Sequence, residues 1–263
     1  MSEQRIAPAP AALAETAEPT TLDARGLPYR DLNAQIRALV DQGRRDIRLI
    51  GVLGQRYIGT NLREPVRLVI DGVPGNDLAA FMDGPTIEVR GSAQDGCGNT
   101  MNGGTIVIHG AAGDIIGHSM RGGEIYVRDS VGYRVGIHMK EYEDVRPVIV
   151  IGGTAQHFLG EYMAGGILIV LGRNLAANAV HPSHYLGTGM HGGAIYLRGH
   201  VDPAHVGKEV GQAPLLPDDL WLLQRYVGAY AQHFGADAEA LLRGPFVKLA
   251  PLTKRPYGRL YAY

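Results

Sequence analysis

Short runs of alternating apolar residues recur along the middle of this chain, and their period of two predicts β-strands rather than helices. In each run, two aliphatic residues flank one residue that points to the opposite face of the strand. The flanking pairs are Ile87/Val89, Ile106/Ile108, Ile125/Val127, Leu168/Val170 and Ile195/Leu197. The residues between them are Glu88, Val107, Tyr126, Ile169 and Tyr196. The pattern therefore predicts a series of short and similar strands.

Six methionines place these strands on one repeating grid. They are Met82, Met101, Met120, Met139, Met163 and Met190, separated by 19, 19, 19, 24 and 27 residues. A glycine stands three residues before each methionine, except at Ala79, and Gly-Gly follows most of them. A fixed period of this size predicts a solenoid, in which each repeat buries its apolar face only against its neighbours.

The strands and the period together predict a β-helix. Coils of 19 residues bring equivalent positions of neighbouring repeats about 4.8 Å apart. The methionines then form a ladder inside the stack, with isoleucine and valine ladders beside it. Glycines suit the corners of such coils because they adopt positive φ at little cost. We predict about seven coils over residues 47–199.

The repeat has departures that predict loops. The first coil is degenerate, with Leu62 in the methionine position. Extra residues enter the repeat within 140–147 and again within 173–186. Insertions leave the wall of a solenoid without disturbing its interior, and such loops often carry binding contacts. We expect these two insertions, together with the C-terminal tail, to contact a partner, although a merely solvated charged loop at 140–147 stays open.

The flanks of the repeat region are predicted to be helical. Residues 31–40 place Leu32, Ile36, Leu39 and Val40 on one face, and a second helix runs from Asp218 to Phe234. Because open ends of a β-helix expose unpaired backbone and apolar interior, we expect α-helical caps at both ends. The predicted organisation is a disordered tail at 1–24, an N-terminal helical cap at 25–46, a β-helix at 47–210, and a C-terminal helical cap with an extended tail at 211–263.

Composition excludes several classes of function. The net charge is −1 and there is no block of Lys and Arg, which argues against nucleic acid as a partner. No apolar stretch approaches the roughly 18 residues of a membrane span. The N-terminal residues lack the apolar core of a signal peptide. Cys97 is the lone cysteine, so neither a disulfide nor a cysteine-ligated cluster is expected. We expect a cytoplasmic protein without membrane contact.

Motifs that carry chemistry are scarce. The letters from Gly187 to Gly192 match the dinucleotide signature G-x-G-x-x-G, but that signature needs a preceding strand and a following helix, and here it is one instance of the repeat. His181, His184 and His191 form a histidine cluster, which we interpret as two loop residues and one corner residue rather than a metal site. The other histidines fall at different positions of the repeat, so they are not expected to gather into one site.

Two sulfur-based alternatives are also weighed. Methionines facing the interior could bind copper, but at the period of the coil they are better explained as core residues. Cys97 could act as a nucleophile only with a base nearby, and Ile116 stacks over it one coil later, which indicates packing. No catalytic, cofactor-binding or metal-binding residue is therefore predicted in this chain.

The repeat G-x-x-x-G-x-x-M-x-G-G-x-I-x-V-x-G resembles the GXGXG domain at the C-terminus of the glutamate synthase large subunit. The same domain forms one subunit of formylmethanofuran dehydrogenases and of related formyltransferase/hydrolase complexes. The chain is most similar to free-standing "domain 3" proteins of the glutamate synthase group. Segments that carry the likeness lie at 74–84, 131–140 and 158–166, and the likeness runs from about Tyr29 to the C-terminus.

The resemblance implies a right-handed, single-stranded β-helix without catalytic residues of its own. In glutamate synthase this domain lies against a glutamine amidotransferase domain and a synthase domain that binds FMN and an iron–sulfur cluster. The expected role is a scaffold subunit of an oxidoreductase complex for glutamate biosynthesis or a related amine transfer. FMN and the iron–sulfur cluster would then lie on partner subunits, and no cofactor on this chain.

Two other functions stay open. The chain could be the equivalent GXGXG component of a formylmethanofuran dehydrogenase or formyltransferase/hydrolase complex, although its helical extension after Val210 and residues 255–258 are more similar to the synthase group. It could also be a self-contained β-helix enzyme. A polysaccharide lyase would show stacked acids along one outward wall, and a hexapeptide acyltransferase would keep a six-residue period. Neither pattern is present.

Overall fold

A computed structural model describes residues 18–253 of the chain. Its strands are β1 (Thr20–Asp23), β2 (Asp46–Leu53), β3 (Arg67–Val73), β4 (Thr86–Val89), β5 (Thr105–Ile108), β6 (Glu124–Val127), β7 (Val148–Ile151), β8 (Ala164–Val170), β9 (Gly192–Arg198), β10 (Val210–Ala213) and β11 (Phe246–Pro251). Its helices are α1 (Tyr29–Asp41), α2 (Pro217–Phe234) and α3 (Ala238–Leu242), with a 3₁₀ turn at Pro203–His205.

The strands stack into one sheet that follows the solenoid axis. The order is β1 to β9 in sequence, followed by β11 and then β10. Strands β1 to β9 are parallel, and β11 is antiparallel to both β9 and β10. Ile87 pairs with Ile106, which pairs with Ile125. The register continues from Ile125 to Ile149 across the first insertion. The predicted all-β solenoid is confirmed.

The interior of the stack is the apolar core predicted from the repeat. The methionine ladder and the two aliphatic ladders beside it are buried. Each coil buries these side chains only against the coils above and below, so the interior is continuous along the axis. Contacts of this kind replace the compact core of a globular domain.

The N-terminal end of the solenoid is closed by α1, as the amphipathic pattern predicts. Leu32, Ile36 and Val40 are buried on its inner face and join the interior cluster of the coils. Strand β1 pairs in parallel with β2, so the segment 20–23 is part of the sheet and not of the disordered tail expected at 1–24. Residues 1–17 of that expected tail, and the tail after Thr253, lie outside the described residues.

The C-terminal helix α2 does not lie at the end of the stack, which corrects the expectation of a second cap. Its buried residues Leu222, Leu223, Val227 and Tyr230 pack against the outward face of the sheet. The Tyr230 hydroxyl donates a hydrogen bond of 2.9 Å to the carbonyl of Arg128. The far end of the stack is covered instead by β11, which pairs with β9 and buries a leucine in the coil interior.

The outward strand residues explain the position of α2. Outward positions of strands β5 to β9 carry Val107, Tyr126, Val150, Ile169 and Tyr196, and all of them are buried. An apolar outward face has to be covered by another element, and the helix that follows the solenoid supplies the cover. The strict alternation expected for a solvated sheet face is absent at these five positions, which is the sequence signal for the helix.

Within residues 18–253, no helix combines the length and the apolar content required to cross a bilayer.

The methionine ladder provides a test of the packing. We predict that Met120→Ala lowers the free energy of unfolding by about 2–5 kcal/mol, because Met120 is fully buried and the coils above and below hold the cavity open. The matched variant Met120→Leu keeps the volume and should cost less than about 1.5 kcal/mol. Urea unfolding followed by circular dichroism measures both. Equal small losses for the two variants would contradict a tightly packed ladder.

Candidate partner-binding surface

The segment before each methionine forms a second side of the solenoid, which has no regular strands and differs from the sheet in its backbone conformation. Three alternate residues in each of these segments have positive φ, five, three and one positions before the methionine. In the sixth coil they are Phe158, Gly160 and Tyr162. We call this side the ring wall. Its positive-φ positions are Tyr57, Gly59 and Asn61; Asp77, Ala79 and Phe81; Gly96, Gly98 and Thr100; Ile115, Gly117 and Ser119; Arg134, Gly136 and His138; Phe158, Gly160 and Tyr162; and Tyr185, Gly187 and Gly189.

The alternating backbone of the ring wall hydrogen-bonds in both directions along the axis. Phe158 and Tyr162 donate to carbonyls of the following coil, each at 2.9 Å. Gly160, between them, donates to the carbonyl of Val135 in the preceding coil at 2.8 Å. The same alternation holds in the four coils from Asp77 to His138. These bonds satisfy the backbone where no regular strand is present.

Positive φ is favourable only for glycine and tolerable for asparagine. A residue with a Cβ costs roughly 1–2 kcal/mol in this conformation. Glycine occupies the central position of nearly every triplet, yet the outer positions carry Arg134, His138, Phe158, Tyr162 and Tyr185 in the C-terminal coils. Strained positions of this kind cluster at functional sites, so the outer positions of the ring wall are the strongest site candidate in the described chain.

Side chains at these positions stack into columns along the axis. The rings of Phe158 and Tyr185 are nearly parallel, with centroids 4.7 Å apart. The guanidinium of Arg134 lies 4.5 Å from the centroid of Phe158 on the same column. A second column stacks His138 on Tyr162, with centroids 5.4 Å apart. The ring faces are therefore largely occupied by one another, and the ring edges point outward.

An ion pair fixes the guanidinium at the head of the first column. Arg134 Nη1 donates to Glu161 Oε2 of the following coil. The side chain of Glu161 is only 8% exposed, whereas that of Arg134 is 43% exposed. A buried carboxylate requires a partner of this kind. Arg134 is thereby held over Phe158 while part of its guanidinium stays open to solvent.

Histidines form two groups on the ring wall. The His118 and His138 rings lie 6.0 Å apart, and those of His157 and His184 lie 4.9 Å apart. His205 stacks on His184 at 3.8 Å. His157 and His184 share one repeat position, six residues before the methionine, so the spacing could have revealed this pair. His118 and His138 stand at different repeat positions, which the wall nevertheless brings side by side.

The histidine surroundings disfavour the charged form of two of these rings. Partial desolvation lowers the pKa of His118, and the neighbouring His138 lowers it further, against the opposing effect of Asp77. For His184, desolvation again lowers the pKa, with contributions from His205 and His157 and an opposing one from Asp202. Neighbouring histidines lower the pKa of one another because a positive charge on one ring disfavours protonation of the next.

The remaining histidines lie apart from these two groups on the ring wall. His181, expected in a loop, is buried, with Nε2 2.9 Å from the carbonyl oxygen of Arg198. His191 contacts its own corner at Gly189. His109 lies on the other side of the solenoid, against Phe234 of α2. Among residues 18–253, no three His, Cys, Asp or Glu side chains are arranged to hold a metal ion.

Cys97 lies in the coil interior, in keeping with the packing interpretation. Its side chain is fully buried and hydrogen-bonds the carbonyl of Gln94 at 3.3 Å. Burial, with smaller effects of Asp77 and Asp95, raises the pKa of the thiol to about 12. The thiol stays protonated at neutral pH and lacks the thiolate character of a nucleophile.

The dinucleotide-like segment from Gly187 to Gly192 has the wrong structural context. Gly187 and Gly189 are positive-φ residues of the ring wall, and strand β9 follows them. A dinucleotide site needs a helix N-terminus at this point to bind the phosphates.

The two insertions lie at different places on the solenoid. Residues 140–147 form a small turn in which Tyr142 and Val145 pair through their backbones. Glu141 within it bonds both Arg146 and the backbone N–H of Gly166. The second insertion, 173–186, returns to the ring wall and delivers His184 and Tyr185 to its columns.

A groove of about 540 Å³ lies between the first insertion and α2. At its floor, Lys248 Nζ contacts both carboxylate oxygens of Asp219 at 2.8 Å, and Tyr196 donates to the same carboxylate at 2.6 Å. Burial alone would raise the pKa of Asp219, but these hydrogen bonds lower it overall. The charges satisfy one another and tie α2 and β11 to the sheet, so the groove is explained by packing.

The chain is an all-β solenoid with one wall whose positive-φ positions carry aromatic and histidine side chains. The chain belongs to the GXGXG motif family, whose model matches residues 33–244. It is 47% identical over 252 residues to an uncharacterized protein of Methanocaldococcus jannaschii, covering 93% of this chain and 97% of that one. The positive-φ triplets of the ring wall are the structural counterpart of alternating glycines.

A solved structure shares the fold. It is the crystal structure of the formyltransferase/hydrolase complex FhcABCD from Methylorubrum extorquens with methylofuran. One chain of it is 20% identical to this chain, with a TM-score of 0.58, and the match covers 87% of this chain and 89% of that one. At this level of identity the comparison supports the fold alone.

A substitution at Gly189 tests the stacking of Tyr162 on His138. A Cβ at this position would clash with the ring of Tyr162, so we predict that Gly189→Ala displaces Tyr162 from His138 and lowers stability by about 2–4 kcal/mol. The matched control is Gly26→Ala, because Gly26 has φ 72° against 71° at Gly189 and open space around it. Thermal unfolding of the two variants separates the clash from the shared backbone strain. Equal losses would show that Tyr162 does not lie against Gly189.

Proposed function

We propose that this chain is a non-catalytic structural subunit of a multi-subunit complex and that the ring wall is its main partner-binding surface. The observation that carries the proposal is the set of exposed rings at positive-φ positions. Stability alone favours glycine at these positions. Large side chains retained there against backbone strain are best explained by a function outside the fold.

The composition of the ring wall supports a protein partner. Tyr133, Tyr162 and Tyr185 are 44%, 42% and 55% exposed, and Arg134 lies among them. Tyrosine and arginine are enriched at the energetic centres of protein interfaces. Because the columns are held rigid by stacking, little side-chain entropy would be lost when a partner covers them.

The first candidate complex is of the glutamate synthase type. The repeat pattern is similar to the free-standing domain of that group, and its complexes separate the amidotransferase and synthase activities. In this proposal a glutamine amidotransferase subunit and a synthase subunit with FMN and an iron–sulfur cluster assemble on this chain. The chain contributes no catalytic residue, cofactor ligand or metal ligand, and the insertion 140–147 adds contacts beside the ring wall.

A second candidate is a one-carbon formyl-transfer complex. The observation that favours it is the shared fold with a chain of the formyltransferase/hydrolase complex. In that case this chain would take the position of the solenoid subunit. The partners, and not the chemistry of this chain, distinguish the two candidates, since both use the solenoid as a scaffold.

Purification of the tagged full-length chain from its native host tests the proposal. Co-elution of an amidotransferase-like chain with a flavin- and iron-containing chain would support the glutamate synthase assignment. Co-elution of formyltransferase or hydrolase chains would support the second candidate. A chain that elutes alone at native expression levels, with no partner in stoichiometric amount, would overturn the scaffold proposal.

Replacing wall residues by glycine separates function from stability. We predict that Tyr162→Gly and Tyr185→Gly each change the free energy of unfolding by less than about 1 kcal/mol, because relief of positive-φ strain offsets the lost stacking. The same variants should lose most of the co-eluting partner. The control, Trp221→Ala on α2, removes an exposed aromatic side chain outside both the wall and the two insertions. Retention of every partner by the wall variants would contradict the assigned surface.

A further inference from the structure

The chemistry of the ring wall narrows the partner, given the proposed function. We propose that the C-terminal half of the ring wall, from Tyr133 to His205, binds a carboxylate-rich segment of a partner protein. This inference deepens the proposed scaffold role and rests on it. It follows from what the wall offers at its surface, which is hydrogen-bond donors and ring edges.

Donors dominate the exposed groups of this half. The exposed side chains are Tyr133, Tyr162, Tyr185, His138 and His184, and part of the Arg134 guanidinium is open to solvent. His157 is half-buried, and its Nδ1 accepts a hydrogen bond from the backbone N–H of His184. Glu161, the acid next to these side chains, is buried and paired with Arg134. Lys140, exposed two residues after His138, adds a positive charge at the edge.

Acids at the rim are already engaged by backbone N–H groups. Asp202 accepts from Ala204 at 2.9 Å, Glu209 from Gly189 at 3.1 Å, and Asp114 from Tyr133 at 2.8 Å. Glu209 also lies 4.0 Å from Lys208. These hydrogen bonds fix the three carboxylates at the rim and favour their ionised form.

The stacking geometry favours a carboxylate over a nucleic acid base. Phe158 has Arg134 on one face and Tyr185 on the other, so these faces are not free to stack on bases as single-stranded nucleic acid requires. What remains exposed are ring edges, which carry partial positive charge. Ring edges and N–H or O–H donors together match the oxygen atoms of Asp and Glu side chains.

The opposite half of the wall has the reverse character. Asp77 and Asp95 lie in neighbouring coils there, and the N–H of Asp77 donates to the carbonyl of Asp95 at 2.9 Å. The wall is therefore polar along its axis, with acids towards the N-terminal coils and donors towards the C-terminal coils. A partner lying along it would bind in one direction only, with its acidic segment over the rings.

Protonation of His118 and His184 should strengthen this binding. Between about pH 7.5 and about pH 5.5 histidines gain charge while Glu side chains stay ionised. The groups facing them are Arg134 and Glu161, which remain paired, Asp77 near His118, and Asp202 near His184. Because the pKa values of His118 and His184 lie below the ordinary value, most of the gain should come in the lower part of this range.

Titration of the full-length chain with a short glutamate homopeptide, followed by calorimetry, tests the inference. We expect the Kd to fall roughly tenfold from about pH 7.5 to about pH 5.5. The double variant His118→Gln/His184→Gln should lose this gain. The matched control His109→Gln/His200→Gln, which removes two histidines outside the wall cluster, should keep it. A glutamine homopeptide of the same length should bind at least tenfold more weakly.

Equal binding of the glutamine peptide, or equal losses in the control variant, would overturn the inference. Binding of a single-stranded oligonucleotide in place of the glutamate peptide would overturn it as well. Failure of the peptide experiment is distinguishable from failure of the scaffold role. If the glycine variants of Tyr162 and Tyr185 still lose the native partner, the ring wall remains the proposed binding surface. Only the proposed preference for an acidic partner segment is then wrong.

Discussion

The register between successive coils is the constraint on which the rest of this structure depends. On the sheet side it is held by parallel pairing such as Ile106 with Ile125. On the ring wall it is held by N–H groups that point alternately to the following and the preceding coil. A slip of one residue would turn the methionine ladder outward and break both sets of hydrogen bonds. Extra residues therefore enter only as closed loops, at 140–147 and 173–186.

Because the interior keeps this register, the outer face can accept strain. A folded chain has only a small net stability, and each non-glycine residue at positive φ lowers it by roughly 1–2 kcal/mol. The continuous core of methionine and aliphatic ladders offsets this cost. The wall can then present Arg134, Phe158, Tyr162 and Tyr185 in fixed columns, at spacings set by the coils rather than by the side chains themselves. Rigid presentation of this kind suits a subunit that organises partners.

Much of the fold could be predicted because its causes are local and periodic. The period of two in the strands and the spacing of the methionines determine the solenoid, its register and the place of its insertions. The position of α2 could not be predicted from its own amphipathic pattern. It follows from apolar residues such as Val107 and Ile169 on the outward face of the strands, a signal that only has meaning once the sheet is assembled.

The ring wall was less accessible to sequence reasoning. Arg134, Phe158 and Tyr185 do share one repeat position, five residues before the methionine, and this recurrence is visible in the sequence. Their positive φ is not, since non-glycine residues seldom adopt it. The contact between His118 and His138, which stand at different repeat positions, depends on how the wall turns between coils. These features arise from tertiary geometry, and the sequence alone suggested corners and loops.

Hydroxyl-radical footprinting of the complex isolated from the native host tests the central claim most directly, because it reports side-chain exposure of tyrosine and tryptophan residues one by one. The account predicts that Tyr133, Tyr162 and Tyr185 are oxidised several-fold more slowly in the complex than in the isolated chain. Trp221 on α2, which is 50% exposed, should react at the same rate in both. Protection confined to Trp221 and α2, with the wall tyrosines unchanged, would contradict the assignment of the ring wall as the partner-binding surface.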